Sequence, residues 1–429
     1  MAENPFTSLE PLEPLMDKCV HCGFCLQTCP SYLLLGRETD SPRGRIYAMR
    51  AGIEERIPLS PTVVDHFDTC LGCMACETAC PSGVHYAPLI EQTRAAIEQH
   101  HTRPATERWF RRALFALLPY PGRLRLLSLP LLILQPLRRV SGVMRLLPER
   151  LRMLMALGPE VTPATFVRET PRFTAAVGQE RLRVGLVTGC VQRAFFGDVN
   201  QATARVLAAE GCGVSAPTDQ GCCGALALHA GEPDRARQFA RQLIAAFERA
   251  QVDVVAVNAA GCGSAMKEYG QLLRHDTQWA GRAEAFSRKV KDVTEVLAQL
   301  GPPRATRHRI DARVAYHDAC HLGHAQGVRR EPRDLLADIP GLTLVPVAES
   351  EICCGSAGIF NLTQPEMAAT LGRRKVGHLA EGAPDVVVTS NPGCILQIRA
   401  AARETGRDFR VLHIVELLDA SIAARTLAP

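Results

Sequence analysis

Cys19-Val20-His21-Cys22-Gly23-Phe24-Cys25-Leu26-Gln27-Thr28-Cys29-Pro30 returns as Cys70-Leu71-Gly72-Cys73-Met74-Ala75-Cys76-Glu77-Thr78-Ala79-Cys80-Pro81, every cysteine displaced by 51 residues. In a C-x2-C-x2-C-x3-C-P run, three thiolates cap three irons of one cubane and the fourth, beside proline, reaches a second cubane. That crossing assigns Cys19, Cys22, Cys25 and Cys80 to one [4Fe-4S] cluster and Cys70, Cys73, Cys76 and Cys29 to another. One C-x-x-C pair suits zinc equally well, whereas two full runs in register point to two clusters. The flanking text is helical. Ser41-Pro42-Arg43-Gly44-Arg45-Ile46 reads as a turn opening a helix, and Tyr86 to Gln99 carries Leu89, Ile90, Ala95, Ala96 and Ile97 at helical spacing. An all-helical domain over residues 1–100 is predicted. Arg43 and Arg45 either stand near a cluster, where positive charge raises its potential, or belong to a solvated loop.

Nine further cysteines follow: Cys190, Cys212, Cys222, Cys223, Cys262, Cys320, Cys353, Cys354 and Cys394. Eight of them form a second repeat. Cys190 precedes the Cys222-Cys223 pair by 32 residues and Cys320 precedes Cys353-Cys354 by 33; Cys262 and Cys394 follow the pairs by 39 and 40. Gly221-Cys222-Cys223-Gly224 matches Cys353-Cys354-Gly355, and Asp253 and Asp385 each stand nine residues before their cysteine. Residues 181–300 and 301–429 are therefore read as two copies of one module. Buried-strand patterns at Val184–Val187, Asp253–Val257, Val314–Tyr316, Leu342–Val347 and Val386–Thr389, with helices near Val199–Ala209 and Asp234–Arg249, make each copy α/β. The repeated cysteines then lie just past strand ends, where ligands bind in parallel sheets. Each set of four suits an iron-sulfur cluster, zinc or bare thiols. His317, His321 and His324 fall on neighbouring turns if a helix starts at Cys320; there they pack or hydrogen-bond to sulfur rather than ligate. Cys212, without a counterpart, reads as dispensable.

With 429 residues and 47% hydrophobic content, the chain is long enough for about three domains with packed cores. Seventeen cysteines, an odd number that includes ferredoxin-type runs, argue against a disulfide framework and for a reducing compartment. Met1 to Thr7 shows no basic region followed by an apolar run, which reads as no export signal and a cytoplasmic protein. A net charge of +5 does not argue for nucleic acid. Residues 101–153, however, hold eleven arginines against two glutamates, with leucine runs at Leu124–Leu127 and Leu131–Leu134. Pro119, Pro121, Pro130, Pro136 and Pro148 divide this stretch, and no apolar run nears the ~20 residues of a membrane span. A connector over 101–180 that packs on the body and docks an acidic partner, or that lies on an anionic membrane surface, satisfies the pattern. No G-x-G-x-x-G, G-x-x-x-x-G-K or H-E-x-x-H occurs, so flavin chemistry is expected on other chains.

Taken together, the two ferredoxin-type runs, the Ser41-Pro-Arg-Gly-Arg-Ile46 link and the two Cys-Cys-Gly modules resemble the glycolate oxidase (glycolate dehydrogenase) iron-sulfur subunit family across nearly the whole chain. The resemblance implies a multidomain α and α/β fold: an all-helical dicluster ferredoxin domain followed by a duplicated α/β cysteine-rich (CCG) module. It implies two [4Fe-4S] clusters, further Fe-S or Zn sites at Cys190, Cys222, Cys223, Cys262 and at Cys320, Cys353, Cys354, Cys394, and no catalytic residue of its own. Electrons would come from FAD subunits acting on a 2-hydroxy acid, glycolate or D-lactate, and leave to a quinone or other acceptor, with peripheral contact to the cytoplasmic face of the inner membrane. Iron-sulfur subunits of glycerol-3-phosphate and lactate dehydrogenases, and heterodisulfide-reductase-like disulfide reductases, share the architecture. One departure stands out. Where the heterodisulfide-type module has a C-x-x-C pair, the positions three before Cys262 and Cys394 are Ala259 and Asn391.

Overall fold

The computed structural model describes residues 4–135, 155–407 and 409–427. Before Phe173 the described residues form only helices and turns. Helix α1 (Pro42–Ile53) opens on Ser41, whose hydroxyl accepts the Gly44 N–H, and Pro42 presets φ at the first helical position. Helix α2 (Ala87–His100) buries Leu89, Ile90 and Ile97 with Phe6, Leu9, Met49 and Phe67. This small core carries both cysteine runs.

Helices α3 (Ala105–Leu117) and α4 (Pro121–Leu134) follow. Leu114 and Phe115 of α3 pack on Ala227, Leu228, Ala236 and Ile359, which ties the connector to both modules. The arginines described in this stretch include several held in fixed contacts. Arg103, its side chain 5% exposed, bonds both oxygens of Asp68 at 2.7 and 3.1 Å and also reaches Glu98 and Glu107. Arg125 binds Glu169 and the carbonyls of Arg168 and Arg193. An isolated surface pair contributes about 0–1 kcal/mol, whereas a nearly buried bidentate arginine shared by three carboxylates fixes how the three helices that carry them meet. For these residues the packing expectation holds. Arg138, Arg139 and Arg145 lie outside the described residues, and no described helix is long and apolar enough to cross a membrane.

The rest is α/β. Strands β2 (Leu182–Val187), β3 (Cys212–Ser215), β4 (Val254–Val257) and β5 (Val290–Asp292) run parallel in the order β3-β2-β4-β5, with β1 (Phe173–Thr174) antiparallel beside β3. The sheet thus recruits a pair of residues from the expected connector. In the second module β6 (Ala312–Tyr316), β7 (Leu342–Val345), β8 (Val386–Thr389) and β9 (Arg410–His413) are parallel in the order β7-β6-β8-β9. The two orders are the same. Val184 lies opposite Val214 and Val254, and Val314 opposite Leu344 and Val386. Past the exposed Arg183 and Arg313, Val184–Val187 and Val314–Tyr316 are buried at every position, so these parts of the central strands are covered on both faces and read as apolar runs. Each module steps outward from its first parallel strand and then crosses to the other side, which opens a crevice at the carboxyl ends between β2 and β4 and between β6 and β8.

The modules are not independent beads. Helix α5 (Gly197–Ala209) of the first, helix α8 (Ile414–Ile422) of the second and both sheets share one hydrophobic core, with Val206, Leu207, Leu417 and Leu418 inside it. Arg205 pairs with Asp419 at 2.7 Å, and Arg307 with the buried Glu210 at 2.7 Å, across the same seam.

Candidate metal centres

The two cysteine runs share one backbone path. His21 (φ 54°) and Gly23 (φ 88°) in the first, and Gly72 (φ 63°) and Met74 (φ 61°) in the second, take left-handed conformations at equivalent positions. Histidine and methionine there cost about 1–2 kcal/mol each, strain that persists where a turn must aim backbone N–H groups inward; the Gly72 N–H points to Cys70 Sγ at 3.4 Å. Burial pushes the Cys73 and Cys76 thiols well up, and neighbouring sulfurs, Cys29 among them, push them further. The proline-flanked cysteine of the first run is thus brought beside the second run. Burial also raises Cys25, to about 11, with Cys19 and Cys29 adding to it. Cys19, Cys25 and Cys80 line the edge of the domain core, the Val84 N–H reaches Cys80 Sγ at 3.5 Å, and Cys22 is exposed between the exposed side chains of Val20 and Phe24.

The Ser-Pro-Arg-Gly-Arg link serves both runs. Arg43 pairs with Glu38 and donates to the His21 carbonyl at 2.7 Å, which braces the first loop near Cys25. Gly44 is required because a Cβ would lie 1.9 Å from the Glu38 carbonyl oxygen. Arg45 is 1% exposed and donates to the His66 carbonyl, Ser31 Oγ and Thr69 Oγ1. Burial alone would lower its pKa; the charges of Cys70, Tyr86, Cys29 and Asp40 outweigh that and hold it firmly cationic. In return, Arg45 and then Arg94 overcome burial and lower the Cys70 thiol. Of the two readings of these arginines, proximity to the cysteine loops is the one realised.

In the first module Cys190 follows β2, Cys222 and Cys223 follow β3, and Cys262 stands in the first turn of the helix Ala260–Lys267 after β4, so three strand-to-helix connections deliver four sulfurs to one crevice. Cys222 Sγ lies 3.6 Å from Cys190 Sγ. Hydrogen bonds to neighbouring sulfurs, then burial, push Cys222 and Cys262 well up, while bonds from Cys222 and Cys262 lower Cys223. Four clustered sulfurs, three buried and that of Cys262 half-buried, cannot all ionise together without a cation, and a thiophilic metal releases those protons. The donor set therefore fits zinc or an iron-sulfur cluster. Gly224 (φ 78°) and Gly355 (φ 90°) explain the motif's glycine twice over. Both are left-handed, and a Cβ would come within 3.1 Å of the Ala236 carbonyl oxygen and 2.7 Å of the Ala368 one, in helices α6 (Pro233–Ala250) and α7 (Pro365–Glu381). Cys212 lies apart, in β3 inside the shared core.

The second module repeats the arrangement with additions. Cys320 and Cys353 sulfurs are 3.9 Å apart, and Cys353 and Cys354 are raised with their neighbours. Asn391, three residues before Cys394, donates to Cys394 Sγ at 3.4 Å. The helix at Cys320 runs only to Gly323, so the three histidines do not share one face of it. His317 precedes it, near Cys354 and Cys394. His321 Nε2 meets the Gly72 carbonyl at 2.7 Å, and His324 Nδ1 meets Thr78 Oγ1 at 2.7 Å. These last two brace the second cysteine run. Lys375, unflagged by the spacing of cysteines, sits 2% exposed near Cys353 and Cys354; a lysine within the apolar stripe Leu371, Lys375, Leu379 was the available signal.

All these loops converge. Leu71, Cys73 and Ala75 share an apolar cluster with Cys353, Phe360 and Leu371, and Cys320 and Cys353 lie near enough to Cys73 for Cys320 to help raise the Cys73 thiol and Cys73 the Cys353 thiol. On the first module's side Arg94 donates to the His229 carbonyl at 2.8 Å, His229 Nδ1 meets Glu91 at 3.0 Å, and the His229 and His321 rings meet edge-on at 5.0 Å.

Known families match along this layout. A 4Fe-4S dicluster domain covers residues 15–84, a glycolate oxidase iron-sulfur subunit linker region covers 106–157, and a cysteine-rich domain matches twice, at 184–267 and 314–399. The chain is 39% identical over 417 residues to a probable glycolate oxidase iron-sulfur subunit of Bacillus subtilis, covering 93% of this chain and 92% of that one. It is 36% identical to the glycolate oxidase iron-sulfur subunit of Escherichia coli, covering 94% of each. Lactate utilization protein A of Geobacillus kaustophilus is 30% identical over 56% of this chain and 99% of its own length. With runs, link and paired modules all in the matching order, the chain belongs to the glycolate oxidase iron-sulfur subunit family.

Proposed function

We propose that this chain is the electron-transfer subunit of a flavin-dependent 2-hydroxy-acid dehydrogenase, acting within a complex whose FAD subunits oxidise glycolate or D-lactate and passing the electrons to a quinone or another acceptor. The observation that carries this reading is a series of neighbouring thiols, from Cys19 and Cys25 through Cys29 and Cys73 to Cys320 and Cys353, with Cys22 exposed at the outer end. Bound [4Fe-4S] clusters supply one-electron carriers that a hydride-accepting flavin needs as an outlet. The chain's residues do the rest. Cys19, Cys22, Cys25 and Cys80 hold one cluster and Cys70, Cys73, Cys76 and Cys29 the other; the module cysteines hold further metal. Val20 and Phe24 offer a partner an apolar rim at the exposed edge, burial of Cys73 keeps water from the inner sites, and Arg45 offsets negative charge between Cys29 and Cys70.

The labour divides over residues 1–100, 101–180, 181–300 and 301–429, with the arginine-rich segment serving to dock an acidic partner or the cytoplasmic membrane face. Seventeen disulfide-free cysteines suit a reducing compartment. The test is substrate-driven reduction of the complex carrying Cys19→Ser or Cys73→Ser. Partner flavin should still be reduced while delivery to the acceptor is lost. Delivery at the normal rate by a variant shown to lack its cluster refutes the relay.

A further inference from the structure

The second module has a donor that the first lacks. His317 stands three residues before Cys320, where the first module has Val187 three residues before Cys190. A ring nitrogen of His317 and the sulfurs of Cys354 and Cys394 all lie within 4.8 Å of one another. The ring is 0% exposed, and neither Nδ1 nor Nε2 has a hydrogen-bond partner. An unmet buried polar group costs about 1–3 kcal/mol. A histidine buried for packing has that cost relieved, as in His413, whose ring meets the Asn258 carbonyl at 2.8 Å and the Val415 N–H at 3.3 Å. His317 has no such relief from protein, and the nearest uncommitted chemistry is sulfur.

A second asymmetry lies opposite. Lys375, ten residues into α7 from Pro365, is held by the Glu349 and Ser350 carbonyls beside Cys353 and Cys354, whereas ten residues into α6 from Pro233 stands Leu243. One module encloses its sulfurs with Val187 and Leu243, the other with an imidazole and an ammonium.

We propose that His317 is a metal ligand, so that the second module holds a mixed imidazole–thiolate centre built on His317, Cys353, Cys354 and Cys394 with Cys320, while the first module's centre is all-thiolate. This rests on the reading that the module cysteines bind metal. His317 restores a fifth donor to the module in which Asn391 replaces a thiolate. As a neutral ligand it leaves the centre with one negative charge fewer than a fifth cysteine would, and the Lys375 ammonium offsets more. Iron in a sulfide cluster and zinc are both compatible with this donor set.

Anaerobically isolated full-length protein in its complex, as wild type, His317→Ala, His317→Cys and Cys354→Ser, tests the proposal. Metal and sulfide content is measured alongside pulsed EPR of the reduced protein for iron and absorption at the zinc edge. The expected wild-type result is an imidazole nitrogen coupling in the iron signal, or a nitrogen shell at about 2.0–2.1 Å beside sulfur at about 2.3 Å at the zinc edge. His317→Ala should lose that nitrogen and weaken retention of the metal against a chelator at least tenfold. His317→Cys, which supplies a thiolate and guards against a misfolded alanine variant, should keep the metal without the nitrogen. Bound metal with no nitrogen, or a nitrogen that survives in His317→Cys, overturns the proposal alone. Metal content unchanged in Cys354→Ser overturns it together with the underlying reading of the module.

Discussion

At the scale of single residues, the short link between the cysteine runs shows how few side chains are needed to serve two sites. Ser41 caps, Pro42 starts the helix, Arg43 reaches the first loop, Gly44 clears a carbonyl, and Arg45 reaches the second. Replacing Arg45 with glutamine should lower the reduction potential of the cluster at Cys70 and Cys29 by roughly 50–100 mV, the size expected for a unit charge roughly 7–14 Å from the cluster in an effective dielectric of about 20. Potentiometric EPR titration reads this directly, and an unmoved potential would show that other cations screen Arg45. The cysteines themselves were legible because metal geometry dictates their spacing. His317 was legible only as one of three histidines, since a spacing of three and four residues does not say which ring turns toward sulfur.

At the scale of elements, the modules repeat a device that their sequences hide. The last parallel strand of each runs directly into a helix with a capping box, Asp292 with Glu295 in one and His413 with Glu416 in the other. Burial acts on the two caps with opposite sign. It raises the Asp292 carboxyl to about 7, so its contribution to stability is full below about pH 4 and is lost as pH rises through 7. It lowers His413 to about 4, so that contribution is full above about pH 6.5 and is lost as pH falls through 4. Asp292→Asn keeps the oxygen that accepts the Thr294 N–H. Anaerobic urea titrations should therefore find this variant close to wild type at pH 4.5 and more stable by at least about 1 kcal/mol at pH 8. Equal pH profiles would mean that Asp292 titrates normally. Strands β1, β3, β5 and β9 escaped the reading because none is an unbroken apolar run: β3 reads Cys-Gly-Val-Ser, and β5 and β9 carry Lys291 and Arg410. Strands β4 and β8, no longer than β9, were plain because they read Val-Val-Ala-Val and Val-Val-Val-Thr.

At the scale of the molecule, the ferredoxin-type domain is wedged between the modules, held to the second by its second cysteine run and to the first by Glu91 and Arg94 of α2. Stripping iron should raise amide exchange at least about tenfold around residues 70–80 and 320–326, equivalent to about 1.4 kcal/mol of local stability, while β2, β4, β6 and β8 stay protected. Hydrogen-exchange mass spectrometry decides it; unchanged protection at the seam would mean that side-chain contacts alone hold the wedge. None of this seam was readable beforehand, because Cys73 and Cys353 are 280 residues apart and no local pattern encodes their meeting. The packing of α8 on α5 carries a consequence for biosynthesis. Ribosomes emit about 5–20 residues per second, and roughly 150 residues separate Cys262 from the start of α8. The earlier module is thus born without one wall of its interior and waits on the order of 8–30 s for it. A premature stop codon shortly before Ile414 would spare every cysteine yet unravel the half translated first.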